Sequence, residues 1–196
     1  NEPLVLVSKN ATRGGTEIFV YSEDRPSLFA RVVASLDKKN LSVHDAQIMT
    51  SKDGFALDTF MVLDANNDAI SADRHEKIRE GVTLALMQDG AITIPVRRAP
   101  RKLMAFNVKT QVTFLPTRTG RRTLLELVAL DMPGLLARVG AVFARQKVSL
   151  QAAKITTIGE RAEDFFIVTD GERQALTEET QQALREALFD ALSDVS

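Results

Sequence analysis

The chain has 196 residues, 44% hydrophobic and 26% charged, which suits one ordinary globular domain or two small ones. A formal net charge of −1 gives no electrostatic reason for a nucleic-acid or anionic-membrane partner, and the absence of cysteine excludes disulfides, thiol chemistry and Cys-based zinc sites. No apolar run reaches the ~20 residues that cross a bilayer and no signal peptide precedes the first strand-like segment, so a cytoplasmic place is expected. The start at Asn1, without Met, in sequence that already reads as structured suggests a piece of a longer protein.

Leu4–Val7 reads as a strand, followed by a turn-rich loop over 10–15 in which Gly14-Gly15 fits a hairpin. Thr16–Ser22 is the next strand. Asp24-Arg-Pro-Ser-Leu then opens a helix, with Pro26 near its first turn and Leu28, Phe29, Val32, Val33 and Leu36 at helical spacing. Asn40 is a helix stop. Leu41–Thr50 forms a strand whose alternation slips between Val43 and Ala46, the mark of a β-bulge. A turn at 51–54 leads into Phe55–Leu63, and Ser71 caps a second helix with acidic residues in its first turn.

The pattern then recurs. Asp131-Met-Pro-Gly-Leu-Leu-Ala-Arg-Val139 lies on Asp24–Val32 without a gap; Ser149, Ala153, Ile155 and Thr157 match Ser42, Ala46, Ile48 and Thr50. Asp164–Asp170 matches Asp58–Asp64 after a one-residue deletion, and Leu184, Leu188 and Leu192 follow Ile78, Val82 and Leu86. Such internal likeness is the signature of a duplicated unit. In the second copy Val112–Leu115 leads, then Thr123–Leu130, a helix from Leu135, Val148–Thr157 slipping between Leu150 and Ala153, Asp164–Thr169, and a helix capped by Thr177.

The fold class expected is therefore α+β: two tandem ferredoxin-like modules. Each is a permuted ββαββα unit with an antiparallel sheet and two helices, its leading strand replacing the missing last one. Residues 1–94 form the first, 108–196 the second, and 95–107, with Arg97, Arg98 and Arg101, a basic linker most simply read as a solvated connection. Strands apolar on both faces, such as 57–63 and 164–168, point to sheet-face or sheet-edge contact within the chain or across a homodimer.

Catalytic constellations are wanting. His44-Asp45 lies on a strand without the further ligands of a metal-dependent hydrolase, and Gly14-Gly15 lacks the Lys-Ser/Thr of a phosphate loop. Glu163-Asp164 reads as an exposed turn. The strands lack the aromatic pairs with which RNA-binding modules of this topology stack bases. No catalytic residue, metal site or cofactor is assigned.

The repeated Asp-x-Pro-[Ser/Gly]-Leu turn can bind. A strand-to-helix junction presents backbone N–H groups, and a small residue admits a carboxylate. Gly134 and Leu135 would offer amides to an α-carboxylate while Asp131 accepts from the ammonium. The turn Asp131, Met132, Pro133, Gly134 and Leu135 would be closed by Gln151, Ala152, Ala153 and Lys154 or by a partner module. Asp24, Arg25, Pro26, Ser27 and Leu28, with His44, Asp45 and Ala46, would do the same in the first copy.

These motifs resemble the ACT domain, a regulatory amino-acid-binding module. Arg13–Tyr21, Asn40–Ile48 and Ile155–Asp164 are more narrowly similar to the C-terminal tandem ACT region of the bifunctional uridylyltransferase/uridylyl-removing enzymes of bacterial nitrogen control. That resemblance implies L-glutamine sensing, which switches a parent enzyme between uridylylating and deuridylylating the signalling protein PII. It also implies that the nucleotidyltransferase and hydrolase domains, with their Mg or Mn, lie elsewhere in the parent chain. Ser27 departs from the Gly of the pattern. A free-standing tandem regulator of another amino acid, or a sheet-mediated oligomerisation module without ligand, are the alternatives.

Overall fold

The computed structural model describes residues 2–10, 14–25, 27–51, 53–90, 92, 94 and 108–193. Pro26 and the basic segment 95–107 lie outside them.

The first copy runs β1 (Leu4–Asn10), β2 (Gly15–Glu23), α1 (Leu28–Asp37), β3 (Ser42–Gln47), β4 (Phe55–Leu63) and α2 (His75–Met87). The second runs β5 (Gln111–Pro116), β6 (Thr123–Leu130), α3 (Leu135–Arg145), β7 (Ser149–Lys154), β8 (Thr157–Ile158), β9 (Arg161–Thr169) and α4 (Glu178–Ser193). Each leading strand pairs antiparallel with the strand after it, Val5 opposite Val20 and Val112 opposite Leu127, as the permuted unit requires.

One sheet collects every described strand, in the order β1-β2-β4-β3-β7-β9-β6-β5 with β8 beside β9. The copies therefore meet edge to edge within the chain. Their seam is β3 against β7, with Asp45 opposite Lys154 and Ala46 opposite Ala153. The helices cover one face. There Val20 and Phe60, and Leu127 and Phe166, are buried, and Phe29 and Phe143 of the first helices lie against Phe60 and Phe166. A buried aromatic contributes roughly 1.5–3 kcal/mol through removal from water. Where α1 and α3 cross, a Cβ on Gly140 would come within 2.9 Å of the Ala30 Cα.

Equivalent polar pins recur in both copies. Thr16 Oγ1 accepts from the Ile70 N–H (2.8 Å) and Thr123 Oγ1 from the Leu176 N–H (2.9 Å). Both first helices end on a left-handed residue, Asn40 (φ 57°) and Lys147 (φ 55°), so the expected stop at Asn40 holds.

Four details differ from the expectations. Regular pairing of β3 ends at Gln47, and Thr50 forms only an isolated bridge to Ala56. The expected strand to Thr157 breaks after Lys154, because β8 turns back onto Ala162 and Arg161. β9 begins at Arg161, ahead of Asp164, since Arg161–Glu163 find partners on Leu130–Val128. Ser71 opens a 3-10 turn over Ala72–Arg74 without a side-chain cap bond, whereas Thr177 accepts from the Thr180 N–H at 3.2 Å.

Candidate functional site

β6 delivers the chain to Asp131, whose N–H donates to the Glu160 carbonyl (2.9 Å). The turn closes when Leu135 N–H donates to the Met132 carbonyl (3.1 Å), and α3 starts as Arg138 N–H reaches the Gly134 carbonyl (3.0 Å). Gly134 has φ 81°, a left-handed conformation that its missing Cβ permits. Leu135 N–H is thus engaged within the turn, contrary to the expectation that it faces a ligand. The donors a helix leaves over at this end are those of its next residues, Leu136 and Ala137.

This turn forms one wall of a cleft of about 490 Å³. The opposite wall comes from the first copy. The pairing of β3 with β4 shifts register between Val43 and Asp45, so His44 stands out of the ladder and lines the cleft with Ser42 and Val43. The bulge read from the alternation is present here, and again between Leu150 and Ala152. His44 Nε2 is buried without a hydrogen-bond partner among the described residues.

Asp164 closes the cleft from below. It is fully buried on β9 between Ala162 and Phe166, not in an exposed turn, because period-two alternation puts it on the helix side. One oxygen accepts from the Thr156 N–H (3.2 Å); Oδ2 has no partner among the described residues. Burial pushes its pKa up to about 7, and the neighbouring Asp131 charge adds to the rise. Burial also raises Asp131, opposed by a hydrogen bond from the Thr157 side chain and by the nearby His44.

Acceptors for an ammonium, amides for a carboxylate and an imidazole from the other copy thus share one cavity. Residues 123–187 match the family model described as "ACT domain". The chain carries an ACT domain.

Over nearly its whole length the chain is also similar to enzymes named bifunctional uridylyltransferase/uridylyl-removing enzyme. It is 66% identical to that of Photobacterium profundum over 189 residues, 96% of this chain. With that of Vibrio cholerae it shares 57% over 196 residues, all of this chain. The chain spans 22% of the length of these curated relatives. Among solved structures, aspartate kinase from Synechocystis aligns with TM-score 0.48 and 12% identity, covering 91% of this chain and 27% of that one.

Within the ACT domain, Asp131 through Leu135 all line the cleft, as does His44 from the preceding copy. Gln151–Lys154 do not line it. Gln151 sits at its own bulge with its amide donating to Ser149 Oγ (3.1 Å), and Ala153 and Lys154 lie in the seam with Ala46 and Asp45. Edge-to-edge pairing therefore gives His44 to the Asp131 turn, where the expectation had grouped it with Asp24.

In the first copy Asp24 accepts from Thr50 Oγ1 (3.2 Å), and Arg25 pairs with Asp89 (3.4 Å). Leu28 N–H donates to the Arg25 carbonyl (3.0 Å), and Ser27 accepts from Arg31 Nε (3.2 Å). Asp58 repeats Asp164: it is buried, accepts from the Met49 N–H (3.4 Å), and is raised to about 7 by burial with help from Asp24. The buried acids were readable in principle, since Asp58 and Asp164 repeat in the alignment on an otherwise apolar strand face.

Proposed function

We propose that the cleft between the Asp131 turn and His44 binds an α-amino acid, L-glutamine. Its occupancy would be reported to the catalytic parts of a parent enzyme that uridylylates and deuridylylates PII. One observation carries the reading. Two buried polar atoms, His44 Nε2 and Asp164 Oδ2, come from different copies, line one cavity, and lack protein partners among the described residues. Buried polar groups in folded proteins are almost always satisfied, so an unsatisfied pair around a cavity calls for a polar ligand.

The ammonium is placed between Asp131 and Asp164, the carboxylate against the amides of Gly134, Leu136 and Ala137, and the side-chain amide toward His44. An amide both donates and accepts, which suits imidazole in either tautomer. The names of the relatives supply the parent activity, and no residue of this chain is assigned a part in it.

Isothermal titration of the chain with glutamine, glutamate and asparagine is the test. A sensor working across a cell's metabolite range needs a dissociation constant of roughly 0.1–1 mM, about −4 to −5.5 kcal/mol. Asp131→Ala should weaken glutamine by ~1–3 kcal/mol through loss of a charge-assisted hydrogen bond, and His44→Ala should erode the preference for glutamine over glutamate. Binding unaltered in both variants would move the site elsewhere.

A further inference from the structure

A second cavity lies on the helix side, beside the α1–α3 crossing, and shares no lining residue with the cleft. It is a groove of about 690 Å³ walled by Arg31, Arg138 and Arg145, with Ile92, Ile94 and Ala141 supplying apolar surface. Among the described residues no carboxylate lines it.

Arg31 is 8% exposed, yet among the described residues its guanidinium meets only neutral oxygens, those of Gly90 (2.6 Å), Ala85 (3.5 Å) and Ser27 (3.2 Å). Arg138 is its counterpart in the second copy. It donates to the Ala191 carbonyl (3.3 Å) as Arg31 does to Ala85, and its Nε is buried without a hydrogen-bond partner among the described residues. Carbonyls bracing the second helices explain why an arginine stands at this position in each copy. Among the described residues they leave its charge uncompensated, and a buried cation without a counter-charge is unfavourable. Arg145 adds an exposed third guanidinium at the end of α3.

We propose that this groove is a separate binding site for a compact organic dianion, a phosphate ester or a dicarboxylate. Guanidinium forks match the paired oxygens of both groups, and the apolar wall accommodates a short carbon skeleton. Because Arg31 and Arg138 belong to different copies, a bound dianion joins them across the α1–α3 crossing. The proposal does not depend on the identity of the amino acid in the cleft.

The test is titration of the chain with inorganic phosphate and with succinate, each against sodium chloride at equal ionic strength, by calorimetry and thermal shift. Saturable binding of either dianion above the chloride control supports the site. A response to phosphate alone assigns the phosphorylated class, and to succinate alone the dicarboxylate class. Arg145→Glu alters an exposed side chain and should weaken the dianion at least tenfold, while Asp131→Ala should leave it unchanged. Responses no greater than chloride, or an Arg145→Glu variant that binds like the parent, would overturn the proposal. So would loss of dianion binding in Asp131→Ala, which would place the anion in the amino-acid cleft.

Discussion

Ser27 and Gly134 occupy the same place in the two copies with opposite backbone hands, φ −93° at Ser27 and φ 81° at Gly134. The serine turn stays right-handed, and its hydroxyl accepts from Arg31; the glycine turn is left-handed. A side chain is tolerated in the first copy and strained in the second. Gly134→Ala should therefore lower the unfolding free energy by ~1–2 kcal/mol, whereas Ser27→Gly should cost under ~1 kcal/mol, both read from urea denaturation. A valine at Gly134 would add β-branched strain to any blocked approach. Equal losses in the two variants would show that the left-handed turn is not the constraint.

Stability should fall as pH rises toward neutrality. Asp58 and Asp164 are raised from the ordinary carboxylate value to about 7 by burial, so the fold favours their protonated forms. Their contribution is complete below pH ~4 and is lost as pH climbs through ~7, at up to a few kcal/mol (~3–4) for each group. Exposed Asp73 and Glu76 are shifted the other way, held down first by hydrogen bonds from Ser71 and Arg79. The melting temperature should be higher at pH 5.5 than at pH 8, and the Asp58→Asn, Asp164→Asn double variant should flatten the slope. A wild-type profile that is level from 5 to 8 would contradict the burial argument.

The same acid should make ligand binding proton-linked. An ammonium set between Asp131 and Asp164 favours the ionised form of Asp164, so glutamine must expel a proton below pH ~7. Affinity should rise with pH by up to about tenfold per unit and level off near 7. Titrations in two buffers of different ionisation enthalpy would count the proton, and Asp164→Asn should abolish the slope. A pH-independent affinity in the wild type would separate Asp164 from the ligand.

Removing residues 1–10 deletes β1, uncovers the ladder edge of β2 and takes Val5 from the core. An open edge of this kind recruits other chains. The truncated protein should elute as aggregates or melt at least several degrees lower; a monodisperse species with unchanged melting temperature would mean that β1 is dispensable.

Much of this architecture was legible because local and global signals agree. The Asp-x-Pro turn, the apolar helix stripe and the slipped alternation at Val43–Ala46 each have a local cause and repeat in both copies. Which strand edges join the two copies was not legible, since pairing of β3 with β7 depends on two segments more than a hundred residues apart. For that reason His44 was grouped with the wrong turn. Asp164 was misplaced for a different cause: two adjacent acids look like surface, and only the pairing of Arg161–Glu163 with β6 shows that the strand has already begun.

At the seam, two residue pairs carry the sheet from one copy to the next, while eight join β2 to β4 and eight join β6 to β9. A sheet yields most readily where its ladder is thinnest. Here that line runs beside a cavity with one wall in each copy, and a molecule gripping both walls would act as a splint. The stiffness of the whole plate, rather than the shape of either copy, would then be the quantity that ligand concentration sets.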